Sequence, residues 1–514
     1  MSERLTYTSG TLPGRLDDEF ERRLGEMRAG VQPPFAHFIA GESLSEGRLF
    51  ERRDPSDPAG HVSRAHAAEA ETVAEALSAA RGAQAQWSRV PYEERCAHMR
   101  AVADEIGVRQ VELASVVSLE TGKTRMESIA EVQEAIDLIE TYSSAIEVAQ
   151  GFVAPLASLA PGEHNLELLR PYGVFGVIAP FNFPLALAVN MLSAALIAGN
   201  TVVLKPSEAT PWTGALLGEV LGAGGLPAGV FNLVHGGADT GRALVAGDVA
   251  GIAFTGSVPV GREIARTLAG GAWARPVLAE MGGKNPAIVT AGSDLEKAAE
   301  GIARAAFGLS GQKCSACSRA IVSAEVHDEL LERLCVFTSS LSVGDPSDRM
   351  SALGPVIDAR AVARFQESAA LARRDGRIAA GGAKIELRDG YFVEPTVVTD
   401  LPPKHPLNRR ELFLPFLTVT RVDGLAEAIA EANAIDYGLS AGIFSEDQLE
   451  VEQFLQEIEA GVVYVNRRAG ATTGAWPGSQ SFCGWKASGL TGKGGLGPYY
   501  LQQFMREQSR TIVR

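Results

Sequence analysis

The stretch Gly311-Gln312-Lys313-Cys314-Ser315-Ala316-Cys317-Ser318-Arg319 sets a thiol beside a cation, among small polar residues, in a chain with five cysteines. The thiolate, not the thiol, attacks electrophilic carbon, and adjacent positive charge favours the thiolate. Lys313 is therefore expected to activate Cys314. The other reading is a buried structural cysteine that happens to follow a lysine. Cys314 and Cys317 form one C-x-x-C pair. Structural zinc wants a second pair or histidines at ligand spacing, and the sequence offers neither, so no metal is expected. A thioredoxin-like dithiol is the remaining alternative for the pair.

Four upstream pieces carry complementary groups. Ala179-Pro180-Phe181-Asn182-Phe183-Pro184 follows an apolar strand, at the edge where open α/β sheets bind ligands. The Asn182 amide is either an oxyanion donor or a cap for the next helix. Leu204-Lys205-Pro206-Ser207-Glu208 closes a second strand, where Lys205 and Glu208 either grip ribose hydroxyls or make a surface turn. Phe254-Thr255-Gly256-Ser257-Val258-Pro259-Val260-Gly261 runs from strand into helix, and a helix N-terminus suits a pyrophosphate. An ordinary βα turn reads the same way. Leu278-Ala279-Glu280-Met281-Gly282-Gly283-Lys284-Asn285 puts a carboxylate beside two glycines, as a mobile general base or a solvated turn residue.

The elements that must position these groups follow a β/α alternation. Gly173–Ala179, Thr201–Leu204, Val230–Val234 and Gly251–Thr255 are continuous apolar runs, and Pro286–Val289, Ala320–Val322, Leu417–Val419 and Gly461–Val465 repeat the pattern. Runs without alternation mean burial on both faces, hence parallel sheets covered by helices. Helical spacing marks Ala67–Trp87, Tyr92–Thr121 and Glu127–Ala149, whereas residues up to about 60 read as loop-rich. Between Arg170 and Lys205 lie 34 positions without a charge. Prolines and asparagines break them, so they read as strand, turn, buried helix and strand rather than as a membrane span. The net charge of −15 repels nucleic acid and anionic membrane. A sparse, odd cysteine set with no signal peptide points to a reducing, cytoplasmic setting. Pro155–Arg170 looks like an extended excursion. Ser509–Val513 reads as a lone strand that must pair with something, a subunit partner being one candidate.

Taken in order, these pieces resemble the NAD(P)-dependent aldehyde dehydrogenase superfamily from about residue 60 onward. Glu411-Leu412-Phe413-Leu414-Pro415-Phe416, Tyr437–Gly442, Val465-Asn466 and Phe482–Gly489 add to the likeness. The resemblance implies an α/β aldehyde dehydrogenase fold: two Rossmann-like parallel-sheet domains and a small β oligomerisation arm. Residues 1–150 and 172–283 would bind NAD, 284–490 would be catalytic, and 151–171 with 491–514 would form the arm of a homodimer or higher homo-oligomer. Cys314 becomes the nucleophile, Asn182 with the Cys314 N–H the oxyanion site, and Glu280 the deacylating base. Lys205, Glu208, Gly256, Ser257, Glu411 and Phe413 would hold the cofactor, with NAD preferred over NADP because Glu208 repels a 2′-phosphate. Phe183 and Phe482 would line the substrate site.

Within the superfamily, Cys314–Arg319 and Thr473-Gly474-Ala475 are similar to the 1-pyrroline-5-carboxylate dehydrogenases. That likeness implies L-glutamate γ-semialdehyde as substrate, with Ser315, Gly474 and Ala475 on its carboxylate and amine. Leu414 and Cys483 stand where the family usually has glycine, and Trp476-Pro477 adds a ring beside the anchor loop. Another aldehyde, such as succinic semialdehyde or an aromatic one, is the rival reading. A retired enzyme kept as a structural protein is the rival from another class.

Overall fold

Short apolar strands build two seven-stranded sheets in the computed structural model, which describes residues 5–9, 12–468 and 475–514. The first sheet runs Val277–Met281, Gly251–Gly256, Val174–Ile178, Thr201–Lys205 and Phe231–Leu233, all parallel, and then His37–Ile39 and Glu42–Leu44 antiparallel at one edge. Strand Val174–Ile178 is buried along its whole length, as continuous apolar runs require. The uncharged stretch resolves into that strand, the buried helix Ala186–Ile197 and strand Thr201–Lys205. Among the described residues no helix is long and apolar enough to cross a membrane.

The second sheet runs Arg377–Ala380, Thr396–Thr399, Phe416–Val422, Cys317–Ser323, Asn285–Val289, Ser440–Phe444 and Val462–Val465. All its pairs are parallel except the first.

Several expectations need correction. Residues before 60 are not merely loops. Helix Gly14–Ala29 buries Phe20, Leu24 and Met27, one stripe at helical spacing, and the His37–Leu44 hairpin extends the first sheet. The helix expected over Tyr92–Thr121 breaks at Arg109 into Tyr92–Val108 and Gln110–Thr121. Glu280 sits on a strand, not in a turn. The terminal strand Met505–Val513 pairs along its full length with Glu163–Pro171 of its own chain, and Val153–Leu156 covers the other side of that strand.

Candidate active site

The carboxyl edge of the first sheet gathers most of the nominated groups. Ile178 lies opposite Lys205 in register, Phe254 opposite Ile178, and Thr255 opposite Glu280. Asn182, Lys205, Ser257 and Glu280 therefore leave the sheet on one side, where parallel α/β sheets open toward a ligand.

Cys314 comes from the second sheet, on the turn between Gly308–Gly311 and strand Cys317–Ser323. The turn is pinned from several directions. Asn285 Nδ2 donates to the Cys314 carbonyl at 2.7 Å and the Ala316 carbonyl at 2.9 Å, while its Oδ1 accepts the Ser440 N–H. Gln312 Oε1 accepts the Ile357 N–H at 2.9 Å, and Glu127 accepts the Leu309 N–H at 2.6 Å. Leu309 and Ser310 both take left-handed conformations, with φ of 52° and 50°, a strain that side chains impose only where surrounding bonds overdetermine the loop. The two strand systems meet here, because Asn182 Nδ2 donates to the Gln312 carbonyl at 3.0 Å. Asn182 is thus fixed two residues from the thiol but is not among the groups lining the cavity. An amide carries two N–H donors, and this contact uses one of them.

A cavity of about 750 Å³ opens onto Cys314. Ser315, Glu280, Phe183, Ala475 and Phe482, all nominated from sequence, share its wall. Gly474 lies outside the described residues. Lys313 and Cys314 attract each other as ions, but that attraction does not set the state of the thiol. Burial comes first, then the charges of Glu411 and Glu280, and together they push the thiol up to about 12. Lys313 is itself pulled down to about 8 by burial. Desolvation of both groups outweighs a charge adjacent in sequence. Cys317 is 3 % exposed and packs into the core of the second sheet, and neither Cys314 nor Cys317 is in a disulfide.

Glu280 is pushed up to about 7 by burial, opposed by the Gly495 N–H that its Oε1 accepts at 2.7 Å. Glu411 is likewise raised to about 7 by burial. Its Oε1 accepts the Gly283 N–H at 3.0 Å. A Cβ on Gly282 would lie 1.9 Å from Glu411 Oε2, so only glycine lets that carboxylate lie on the backbone beside Cys314. Phe413 follows with φ of 58° and meets Phe181 edge to face at 5.8 Å.

Of the far wall, sequence reasoning named Phe183 and Trp476 but missed Tyr7, Lys123 and Glu134. Tyr7 packs edge-on against Phe183 and Trp476, both at 5.7 Å, and its hydroxyl donates to Glu134 at 2.5 Å. Trp476 Nε1 donates to Asp137 at 2.7 Å, so the unusual indole is anchored rather than loose in the site. Lys123 Nζ stands 3.6 Å over the Phe183 ring and pairs with Glu131, which also accepts the Leu185 and Ala186 N–H groups at the start of the buried helix. Glu131, Glu134 and Asp137 recur at threefold spacing on helix Arg125–Val148. That spacing was a readable sign of one functional face.

The residues nominated for a dinucleotide fit one. Lys205 Nζ donates to the Pro206 and Gly236 carbonyls at 2.8 and 3.1 Å, which leaves the third of its three donors. Burial lowers Lys205 to about 8, against the pull of Glu208. Glu208 is exposed, and its carboxylate lies against Gly237. Ser257 is exposed at the N-cap of helix Val258–Ala269, and its hydroxyl makes no capping bond. That helix end offers free N–H groups to an anion. Glu208 and Glu411 are acceptors, the complement of ribose hydroxyls. Among the described residues, no cluster of His, Cys, Asp and Glu could hold a metal ion.

The model of the aldehyde dehydrogenase family matches residues 42–509. A 1-pyrroline-5-carboxylate dehydrogenase from Geobacillus sp. (strain WCH70) is 36% identical over 500 residues, covering 96% of this chain and 95% of its own length. The crystal structure of a Thermus 1-pyrroline-5-carboxylate dehydrogenase with bound NAD superimposes with a TM-score of 0.94 at 32% identity, covering 100% of this chain and 99% of that one. Proline utilization A from Bdellovibrio bacteriovorus matches with a TM-score of 0.92 at 34% identity; this chain covers 52% of that longer protein, about half its length.

Proposed function

The chain belongs to the aldehyde dehydrogenase family and is an enzyme that oxidises an aldehyde to its acid; from that premise we propose that it converts L-glutamate γ-semialdehyde to L-glutamate, with NAD as acceptor, in proline catabolism. The observation that carries the reading is the single cavity wall bearing both the Cys314 thiol and a carboxylate raised to about 7.

Cys314 Sγ gives up its proton to water and bonds the carbonyl carbon, whose π pair moves onto oxygen. The remaining Asn182 N–H and the Cys314 backbone N–H receive that oxyanion. One such donor is worth about 10²–10³ in rate. Lys205 and Glu208 hold the adenosine ribose, Gly256 and Ser257 the pyrophosphate at the helix N-terminus, and Glu411, in the turn with Phe413, the nicotinamide ribose. A bound nicotinamide would supply the acceptor for the hydride that leaves the substrate carbon. The oxyanion collapses to a thioester on Cys314. Glu280, as carboxylate, removes a proton from water, which adds to the thioester carbon; the C–S bond breaks and the acid leaves.

Ser315, Ala475 and Gly474 hold the substrate carboxylate and amine, while Phe183 and Phe482 flank its chain. Glu208 near a 2′-hydroxyl disfavours a 2′-phosphate, which supports NAD over NADP. In this reading residues 1–150 and 172–283 form the cofactor domain and 284–490 the catalytic one. The arm, 151–171 with 491–514, joins subunits through exposed Leu156, Leu159 and Val513. Five free cysteines fit a reducing compartment such as the cytoplasm.

An aldehyde panel assayed with NAD and with NADP tests the reading. Glutamate semialdehyde with NAD should give the highest kcat/KM. A higher value for succinic semialdehyde or an aromatic aldehyde would replace the substrate, and faster NADP reduction would remove the Glu208 argument.

A further inference from the structure

Glu280 does not lie free on the cavity wall. The Gly495 N–H that it accepts belongs to a loop crossing from Phe482 toward Tyr500, and the loop is itself fixed. The Phe482 N–H donates to the Gly495 carbonyl at 2.9 Å. One residue on, the Leu496 N–H donates to Tyr142 Oη at 3.0 Å, and the Tyr142 hydroxyl donates to Asn190 Oδ1. Tyr142 is 0 % exposed on helix Arg125–Val148 and Asn190 is 1 % exposed on helix Ala186–Ile197. The loop rests directly on Asn190, since a Cβ at Gly495 would come within 2.7 Å of its amide. A buried hydroxyl that both donates and accepts has one orientation.

We propose that Tyr142 is a positioning residue for the deacylating base: by holding the Leu496 N–H it fixes the neighbouring Gly495 N–H, and with it the side chain of Glu280 beside the thioester carbon. This deepens the proposed function and rests on Glu280 acting as that base. Two helices that also line the cavity thereby set the aim of a carboxylate on a strand of the first sheet. The titratable groups that feel the Glu280 charge are Cys314, Cys483, Tyr142 and Tyr500, all acids that are neutral when protonated. The Gly495 N–H is the contact that favours the Glu280 carboxylate against burial. Loosening it moves the Glu280 titration upward.

The test is Tyr142→Phe in the full-length protein, loaded with NAD and mixed with glutamate semialdehyde. Rapid quench and mass spectrometry follow formation and decay of the acyl adduct on the Cys314 peptide. Formation should stay at the parent rate while decay slows about tenfold, within the roughly 10²-fold that a 1 Å misplacement can cost. The acidic limb of the decay rate should move to higher pH. Tyr500→Phe alters the same aromatic pair, whose rings lie 5.6 Å apart, but not the chain of hydrogen bonds, and should leave that limb in place. Parent decay and an unmoved limb in Tyr142→Phe would overturn the proposal, as would equal slowing of formation and decay. If that variant does not fold, Asn190→Ala removes the hydroxyl's acceptor and should shift the limb in the same direction; an unmoved limb there is equally contrary. Glu280→Gln run in parallel separates the two layers. An adduct that still decays in it removes Glu280 as the base, whereas a stalled adduct beside parent-like Tyr142→Phe removes the positioning role alone.

Discussion

Glu280 and Glu411 are the same group under the same pressure, yet their surroundings suit them to different work. Burial raises both to about 7, each accepts one backbone N–H, and both push the Cys314 thiol upward. Glu280 stands on a strand and on the cavity wall, with no cation among the causes of its shift. Glu411 lies in a strained turn, does not line the cavity, and is drawn downward by Lys284 and Arg364. A carboxylate facing substrate space without a counter-charge is suited to take a proton near neutrality. One beside cations, folded over a glycine next to the nucleophile, is suited to accept hydroxyls. A shifted pKa alone does not assign the role; the wall and the neighbours do.

The comparison breaks most visibly at Glu280. Glu280→Gln should reduce steady turnover by about 10²–10⁴-fold, with a first stoichiometric burst of NADH preserved. Loss of the burst along with turnover would mean that Glu280 acts before the thioester. Glu411→Ala should do the reverse. Removing hydrogen bonds to a charged acceptor costs roughly 1.5–3 kcal/mol, so the KM for NAD should rise at least about tenfold. The burst should slow while decay of the adduct keeps the parent rate. Unchanged NAD affinity would remove Glu411 from the ribose. The smallest effect is in the pH profile. The base works as carboxylate, so thioester decay should fall as pH drops through about 7, approaching roughly tenfold per unit below it. Glu411→Ala should leave that limb in place, and a limb that followed Glu411 would invert the two assignments.

The sequence made the parallel strands readable because continuous apolar runs such as Val174–Ile178 admit one kind of burial. It hid that Glu280 stands on a strand, because Val277–Met281 has five residues and is followed by two glycines, which look like a turn. The N-terminal helix Gly14–Ala29 was obscured because its buried stripe is only Phe20, Leu24 and Met27 among charges. Tyr7 gave no signal at all, since its partners Phe183 and Trp476 are brought to it only by the tertiary fold. The Lys313 argument was incomplete for a different reason. Local charge was visible in the sequence, while the desolvation that reverses its effect exists only in the folded chain.

The most direct measurement is mass spectrometry of Glu280→Gln loaded with NAD and treated with glutamate semialdehyde. The account predicts one acyl group on the peptide carrying Cys314, accumulating to one per active site, and none in Cys314→Ala. Reduction of NAD with no adduct on that peptide would contradict it.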